Sequence, residues 1–384
     1  MKTFLVRPKV YYGSQSLDYL NELKVKKVFL VTDQLMANMG VADKIITRFK
    51  GTLCKVFSEI EPVPSLKAVK KGLEYFREEK PDLVLALGGG APIDVAKAIL
   101  FFSYELAVEG GGERDKKQPL FIVIPTTSGT GSEVTFYSVI TDTKNNVKIP
   151  LNDERLLPDA VILDAQLTAA VPPSVTADTG MDALTHAIES YVSVEATELT
   201  AIFSEKAIKI VFTYLLRAYR FGEDLEAREK LQLASCMAGI AFSNASLGVN
   251  HSMAHAVGAK FQLSHGRSNA ILLPYIIEYN GGLCDGTSQT SEAARKYTEI
   301  SRMLGLPCST VEEGVMSLSM AIRLLNKKFN IPLTFYGCNI EKDVYDESIP
   351  FIVEEALQDV CTAGNPKPVK EMDLVYLLKW AYTG

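Results

Sequence analysis

"PDLVLALGGGAPIDVAKA", residues 81–98, decides the fold. Its first half is an unbroken apolar run between Pro81 and three consecutive glycines. Runs of this kind suit parallel strands covered on both faces. Beyond the glycines, "PIDVAKAILFFSYELA" (92–107) carries helical spacing, so the stretch reads strand, tight turn, helix. Two other apolar runs break into turn-forming residues in the same way, "KKVFLVTD" (26–33) and "QPLFIVIPTTSGTGSE" (118–133). Between the first two lies "SLKAVKKGLEYFREEK" (65–80), with helical spacing. Strand and helix in alternation predict an open parallel α/β sheet, whose ligands bind outside the carboxyl ends of the strands.

The texture changes after "LPDAVILDAQLTAAVPPSVTADTG" (157–180). From there on helical patterns dominate, among them "GMDALTHAIESYV" (180–192), "SEKAIKIVFTYLLRAYR" (204–220) and "REKLQLASCMAGIAFSNA" (228–245). A chain of 384 residues exceeds one typical core. The division expected is an α/β dinucleotide-binding domain over 1–170 and an all-helical metal- and substrate-binding domain over 171–384, parted near Pro172 and Pro173. The stretch "EGGGERDKK" (109–117) reads as a solvated loop. Its three glycines precede no helix and are assigned nothing.

Composition removes several classes of partner. A net charge of -6 with no Lys- and Arg-rich stretch gives no field for nucleic acid. No apolar run reaches membrane-span length, and the opening "MKTFLVRPKVYYG" lacks a signal-peptide core. Six cysteines without a CxxC pair suit reduced thiols, which predicts a cytoplasmic location.

Three strand ends point to a dinucleotide. Gly88, Gly89 and Gly90 let the backbone approach a pyrophosphate at a helix N-terminus. The loop "PTTSGTGSE" offers hydroxyls and glycines for phosphate or ribose contacts. Asp33, after "FLVT", either binds ribose hydroxyls and repels a 2′-phosphate or caps the next helix.

The histidines carry the second signal. The chain has four, and three lie in "NHSMAHAVGAKFQLSHG" (250–266). Asp182 and His186 are four apart on one helical pattern, and His251 and His255 on another, so each pair shares a face. With His265 they form a nitrogen and oxygen set suited to Fe²⁺, Zn²⁺ or a similar ion. The alternative is a group of core histidines bonded within the helices. Five candidates exceed what a catalytic ion needs beside an open position, so one serves another purpose, such as proton transfer. Spacing does not say which.

The chain resembles the iron-containing (group III) alcohol dehydrogenases over nearly its whole length. The resemblance is carried by "GGGAPIDVAKA", "IPTTSGTGSEVTFYSVITD", "TADTGMDALTHAIESYVS", "HSMAHAVGAKFQLSHGRSNAILLPY" and "CTAGNPKP". Within that family, "VFSEIEPVPSL" and "VKIPLNDERLLPDAVILDAQL" look closest to the 1-propanol dehydrogenases of bacterial propanediol utilisation. The resemblance implies a metal held by Asp182, His186, His251 and His265, with His255 left beside substrate and cofactor as the catalytic residue, to relay the alcohol proton to solvent or to set the nicotinamide side of the pocket. It implies NAD binding by Asp33, Gly88, Gly89, Gly90, Ala91, Asp94, Thr126, Thr127, Ser128, Thr130, Thr135, Lys148 and Leu167. Tyr137, Phe242 and Cys361 match positions that line the substrate pocket. Two departures stand out: Ala91 replaces a usual serine, removing one hydroxyl but no backbone N–H, and Lys367 replaces a common arginine.

The activity this implies is metal-dependent, NAD-linked interconversion of short aldehydes and primary alcohols, foremost propionaldehyde and 1-propanol. The alternatives inside the family are a 1,3-propanediol dehydrogenase and a lactaldehyde reductase. A metal hydrolase would leave the glycine turn idle, and a nonenzymatic nucleotide-binding module would leave the metal set idle. The expected partners are a small aldehyde or alcohol and other copies of the chain, in a homodimer or larger homo-oligomer. Association with a bacterial microcompartment is a further expectation. Neither nucleic acid nor membrane is expected.

Overall fold

The computed structural model describes residues 3–109, 118–144, 147–289 and 291–384. The chain divides into two compact units, one spanning Leu5–Ala170 and the other built from Val171–Gly384. Apart from Glu109, the loop expected over 109–117 lies outside the described residues.

The first unit is the α/β one. Its strands are β1 (Lys9–Tyr12), β2 (Lys27–Thr32), β3 (Leu53–Phe57), β4 (Leu83–Gly88), β5 (Leu120–Pro125), β6 (Tyr137–Asp142), β7 (Val147–Asn152) and β8 (Ala160–Leu163). Its helices are α1 (Tyr19–Glu22), α2 (Gln34–Asn38), α3 (Val41–Ile46), α4 (Leu66–Glu79) and α5 (Gly90–Glu109). Six strands pair in parallel in the order β1-β8-β5-β4-β2-β3. Successive side chains of a strand point to opposite faces. Accordingly Phe29 and Val31 join Val84 and Ala86 in one apolar layer, while Val28 and Leu30 join Leu83, Leu85 and Leu87 in the other. Burial on both faces is what the unbroken apolar runs required.

From β2 the chain moves outward to β3 and then returns past β2 to β4, so the strand order reverses between β2 and β4. The carboxyl ends at such a reversal form the usual ligand crevice of open α/β sheets. Thr32, the last residue of β2, pairs with Leu87 and donates its hydroxyl to the Leu87 carbonyl at 2.8 Å. Asp33 and Gly88 are thereby brought side by side.

Sequence reasoning found β2, β4 and β5 but not β1, β3 or β8, nor the antiparallel β6–β7 pair that stands apart from the main sheet. Strands of four or five residues, such as β1, β3 and β8, are too short for apolar periodicity to declare itself. The hairpin is half-exposed and takes its definition from its partner strand.

The second unit holds α6 (Pro173–Val192), α7 (Glu198–Arg220), α8 (Leu225–Ala245), α9 (Val249–Phe261), α10 (His265–Asn280), α11 (Glu292–Met303), α12 (Val311–Lys328), α13 (Lys342–Gln358) and α14 (Glu371–Thr383). Its described residues contain no strand. Pro173 opens α6 at the one position where the missing N–H costs nothing. Met181, Leu184 and Ile188 of α6 share an apolar core with Ile208, Val211 and Leu215 of α7 and with Ile271 and Leu272 of α10. Pro274 inside α10 cannot donate to the carbonyl of Ala270. Asn326 of α12 supplies the missing donor, its Nδ2 standing 2.6 Å from that oxygen. No helix among the described residues is long and apolar enough to cross a membrane.

Candidate active site

Four side chains from three helices meet in the second unit. Asp182 and His186 lie one turn apart on α6, His251 is near the start of α9, and His265 is the first residue of α10. Their ligating atoms all lie within 4.8 Å of one another. Asp182 Oδ1 is 3.3 Å from His265 Nε2 and 3.8 Å from His251 Nε2, and its Oδ2 is 3.8 Å from His186 Nδ1. Asp182, His186 and His251 are buried, and His265, with 37% of its side chain exposed, forms the rim.

The approach of α10 to α6 depends on Gly266. A β-carbon there would stand 2.0 Å from the backbone oxygen of Asp178, so only glycine lets His265 reach Asp182. Asp178 holds the same turn with its carboxylate, accepting from the Ser264 hydroxyl at 2.6 Å and from Arg267 Nε at 3.3 Å.

One carboxylate and three imidazoles gathered at this spacing fit a divalent cation of the iron or zinc kind. Around them stand two residues that sequence reasoning missed. Glu189, buried on α6, hydrogen-bonds His251 Nδ1 with one carboxylate oxygen and accepts the Asn250 backbone N–H with the other at 2.9 Å. This fixes the ring so that Nε2 faces Asp182, the orienting role a carboxylate plays for metal-binding histidines. Asn269, fully buried on α10, places Nδ2 2.8 Å from Asp182 Oδ1, 3.2 Å from His251 Nε2 and 3.1 Å from His265 Nε2. Asn250 Nδ2 donates to Asn269 Oδ1 at 2.9 Å and keeps that amide in place. A signal for Glu189 existed, since it follows His186 by three residues on the same helical face.

Burial opposes charge on Asp182, but the His186, His265 and His251 imidazoles hold its carboxyl well below the usual carboxylate range. Burial also disfavours a charged His251, yet Glu189 and Asp182 push its pKa up to about 9.

His255 stands outside this set. Its Nδ1 is 2.7 Å from Asp359 Oδ2, and its ring stacks on that of His265 with centroids 5.1 Å apart. Asp359, also missed, accepts the Cys361 backbone N–H at 2.9 Å. Burial would raise the Asp359 pKa, but His255 and Cys361 hold the carboxyl well below its usual range. Phe242 stacks its ring on His186, centroids 4.4 Å apart, and closes one flank with an apolar plate. Tyr137 belongs to the other unit, at the start of β6.

In the α/β unit, Gly88 ends β4 at φ 145°, where side chains are rarely tolerated. A β-carbon on it would meet Pro92 at 2.7 Å and Asp33 Oδ2 at 3.2 Å. Gly90 and Ala91 then open α5, a helix of 20 residues whose first N–H groups form an anion-binding end. Thr127 and Thr130 lie against Gly89 and Gly90, Ser128 sits half-exposed between them, and Thr126 donates its N–H to Gly88 at 3.0 Å. Of the two roles considered for Asp33, the cap is present. Its Oδ1 caps α2 through the Met36 N–H at 2.8 Å, and its Oδ2 stays beside Gly88. This cradle fits a dinucleotide phosphate.

The remaining positions fall elsewhere. Asp94 and Thr135 turn into a buried knot around Lys97, whose ammonium donates to the carbonyls of Thr135 and Tyr137 at 2.7 and 2.8 Å. Thr135 Oγ1 accepts from Lys97 Nζ at 3.1 Å, and Asp94 accepts from the Ser132 hydroxyl at 2.6 Å. Burial pushes the Lys97 pKa down to about 8 against the pull of Asp94 and Glu133. Lys148 is exposed on β7, and Leu167 ends a short turn after β8.

Residues 8–165 match the iron-containing alcohol dehydrogenase family, and residues 176–382 match the C-terminal domain of the Fe-containing alcohol dehydrogenase family. The chain belongs to the iron-containing alcohol dehydrogenase family. It is 40% identical over 401 residues to the aldehyde-alcohol dehydrogenase of Streptococcus pneumoniae serotype 4, covering 98% of this chain but only 45% of that relative. The chain thus spans about half the length of that relative. It is 39% identical to the NADPH-dependent butanol dehydrogenase of Clostridium saccharobutylicum, over 100% of this chain and 99% of the other. The 1-propanol dehydrogenase PduQ of Citrobacter freundii is 38% identical, with 96% of each chain covered. Among solved structures, 1,3-propanediol oxidoreductase superposes with a TM-score of 0.89 at 31% identity, covering 100% of both chains.

Proposed function

We propose that the chain is an alcohol dehydrogenase that uses NAD(H) and a divalent ion, iron or zinc, to interconvert short aldehydes and primary alcohols. Propionaldehyde and 1-propanol are its favoured pair. The observation that carries the reading is the convergence of Asp182, His186, His251 and His265 within 4.8 Å. When bound, the ion supplies Lewis acidity toward an alcohol or carbonyl oxygen, and the nicotinamide accepts or gives the hydride.

The protein's own groups do the rest. Asp182 is the one carboxylate among the four residues that would hold the ion, so a divalent ion there would keep an uncompensated positive charge and would favour an ionised substrate oxygen over a neutral one. Glu189 and Asn269 hold the donors in position. His255, its Nδ1 committed to Asp359, exchanges the substrate proton through Nε2. With its side chain 30% exposed, it passes that proton to solvent. Phe242 keeps water from the His186 side. Asp33 Oδ2 beside Gly88 disfavours a 2′-phosphate through like-charge repulsion, which supports NADH over NADPH.

The preference for propionaldehyde rests on Phe242 and Cys361, uncharged positions that the resemblance gives to the substrate, and on the resemblance to the propanol enzymes. A buried methylene contributes about 0.8 kcal/mol, so propionaldehyde gains over acetaldehyde. The test is kcat/KM for propionaldehyde, lactaldehyde and 3-hydroxypropionaldehyde under one set of conditions. An advantage of about tenfold, or about 1.4 kcal/mol, for either hydroxylated aldehyde sinks the propanol reading and favours the diol or lactaldehyde one. A homodimer or larger assembly, read by sedimentation, and microcompartment association belong to the same proposal.

A further inference from the structure

We propose that His255, Asp359 and Cys361 form a second metal site, one selective for thiophilic cations such as Zn²⁺ and Cd²⁺. An imidazole nitrogen, a carboxylate oxygen and a thiol sulfur are gathered there with all three ligating atoms within 4.8 Å of one another. None of the three is a ligand in the Asp182 set.

The geometry is prepared by the backbone. Asp359 caps the short helix Val360–Gly364 through the Cys361 N–H, which fixes the carboxylate and the thiol on one turn. The hydroxyl of Thr362 stands 2.7 Å from that of Ser252 on α9 and 2.6 Å from the Ala356 carbonyl. Ser252 precedes His255 by three residues on the same helix, so the turn is tied to the face that carries the imidazole. A tetrahedral ion about 2.0–2.3 Å from each donor sets its ligands about 3.3–3.8 Å apart. The side chains need move only about an ångström or less to meet it. All three residues are partly exposed, so a cation has access, and a fourth position stays open for water.

Charge and softness separate the two sites. A thiolate with a carboxylate neutralises a divalent ion, so the occupied site carries no net charge beside the Asp182 set. Sulfur selects zinc and cadmium over magnesium and other hard ions, whereas one carboxylate with three imidazoles carries no such preference. An ion here takes His255 Nδ1 from Asp359. On the reading of His255 as proton carrier, occupancy therefore inhibits the enzyme.

The test titrates full-length, iron-loaded protein with Cd²⁺ and follows the cadmium–thiolate charge-transfer absorption together with bound metal. Wild type should take up one further equivalent and develop the band. Cys361→Ser should lose both and keep its iron, while Cys308→Ser, which removes another partly exposed thiol, keeps the band. Asp359→Asn, which retains the thiol, should bind cadmium at least tenfold more weakly. A band that survives in Cys361→Ser, or an Asp359→Asn protein with undiminished affinity, overturns the site. Saturable cadmium uptake lost in Cys361→Ser but without inhibition of the wild type leaves the site standing and overturns the proton-carrier reading of His255.

Discussion

At the scale of single residues, the orienting carboxylate is the sharpest test of the metal reading. Glu189→Gln keeps the shape but removes the charge that holds His251. Loss of such a partner costs about 10–100-fold in metal affinity, read by competition with a chelator. An unchanged affinity would make Glu189 a packing residue. The proton on His251 gives a second test. Its pKa is raised from 6.5 to about 9, so the Glu189 pair stabilises the metal-free protein fully below about pH 6 and fades as pH climbs through about 9. For metal binding the sign is opposite, because the ion must displace that proton. Apparent affinity should weaken by up to about tenfold for each pH unit below about 9. Affinity independent of pH between about 6 and about 9 would show that His251 does not hold the ion. These residues also mark the limit of what the chain displays in one dimension. Asp182 with His186 could be seen because four positions make one helical turn. Asp359 could not, being brought to His255 across 104 positions.

At the scale of elements, the glycine turn between β4 and α5 was legible because strand, turn and helix are contiguous and each declares itself locally. The β6–β7 hairpin was not, since each strand needs the other. The meeting of α6 and α10 also left no local pattern, though it is what assembles the metal set. It hangs on Gly266, and Gly266→Ala should drive the start of α10 away from the Asp178 carbonyl. Overpacking of this kind costs about 1–3 kcal/mol, and the displaced His265 should take most of the metal affinity with it. Thermal unfolding with and without metal separates the two effects. A variant with lowered stability but wild-type metal affinity would mean that α10 relaxes without moving His265.

At the scale of the molecule, the glycine turn and the Asp182 set lie in different compact units, Leu5–Ala170 and Val171–Gly384. Changes at sites without shared partners act additively. Asp182→Ala should therefore abolish metal retention and leave NADH binding, read by fluorescence, within about twofold of wild type. Asp33→Gly should improve NADPH use and leave metal content untouched. Loss of NADH binding in Asp182→Ala would show the two halves to be one cooperative unit. The knot around Lys97 carries a consequence of another kind. Its amine is wholly buried and tied to two backbone carbonyls, so reagents that acylate lysines will modify surface amines in the folded protein and pass this one by. Lys97 is in effect a clock sealed inside the α/β unit. The rate at which it finally acquires label counts the openings of that unit, and a bound dinucleotide should slow the count.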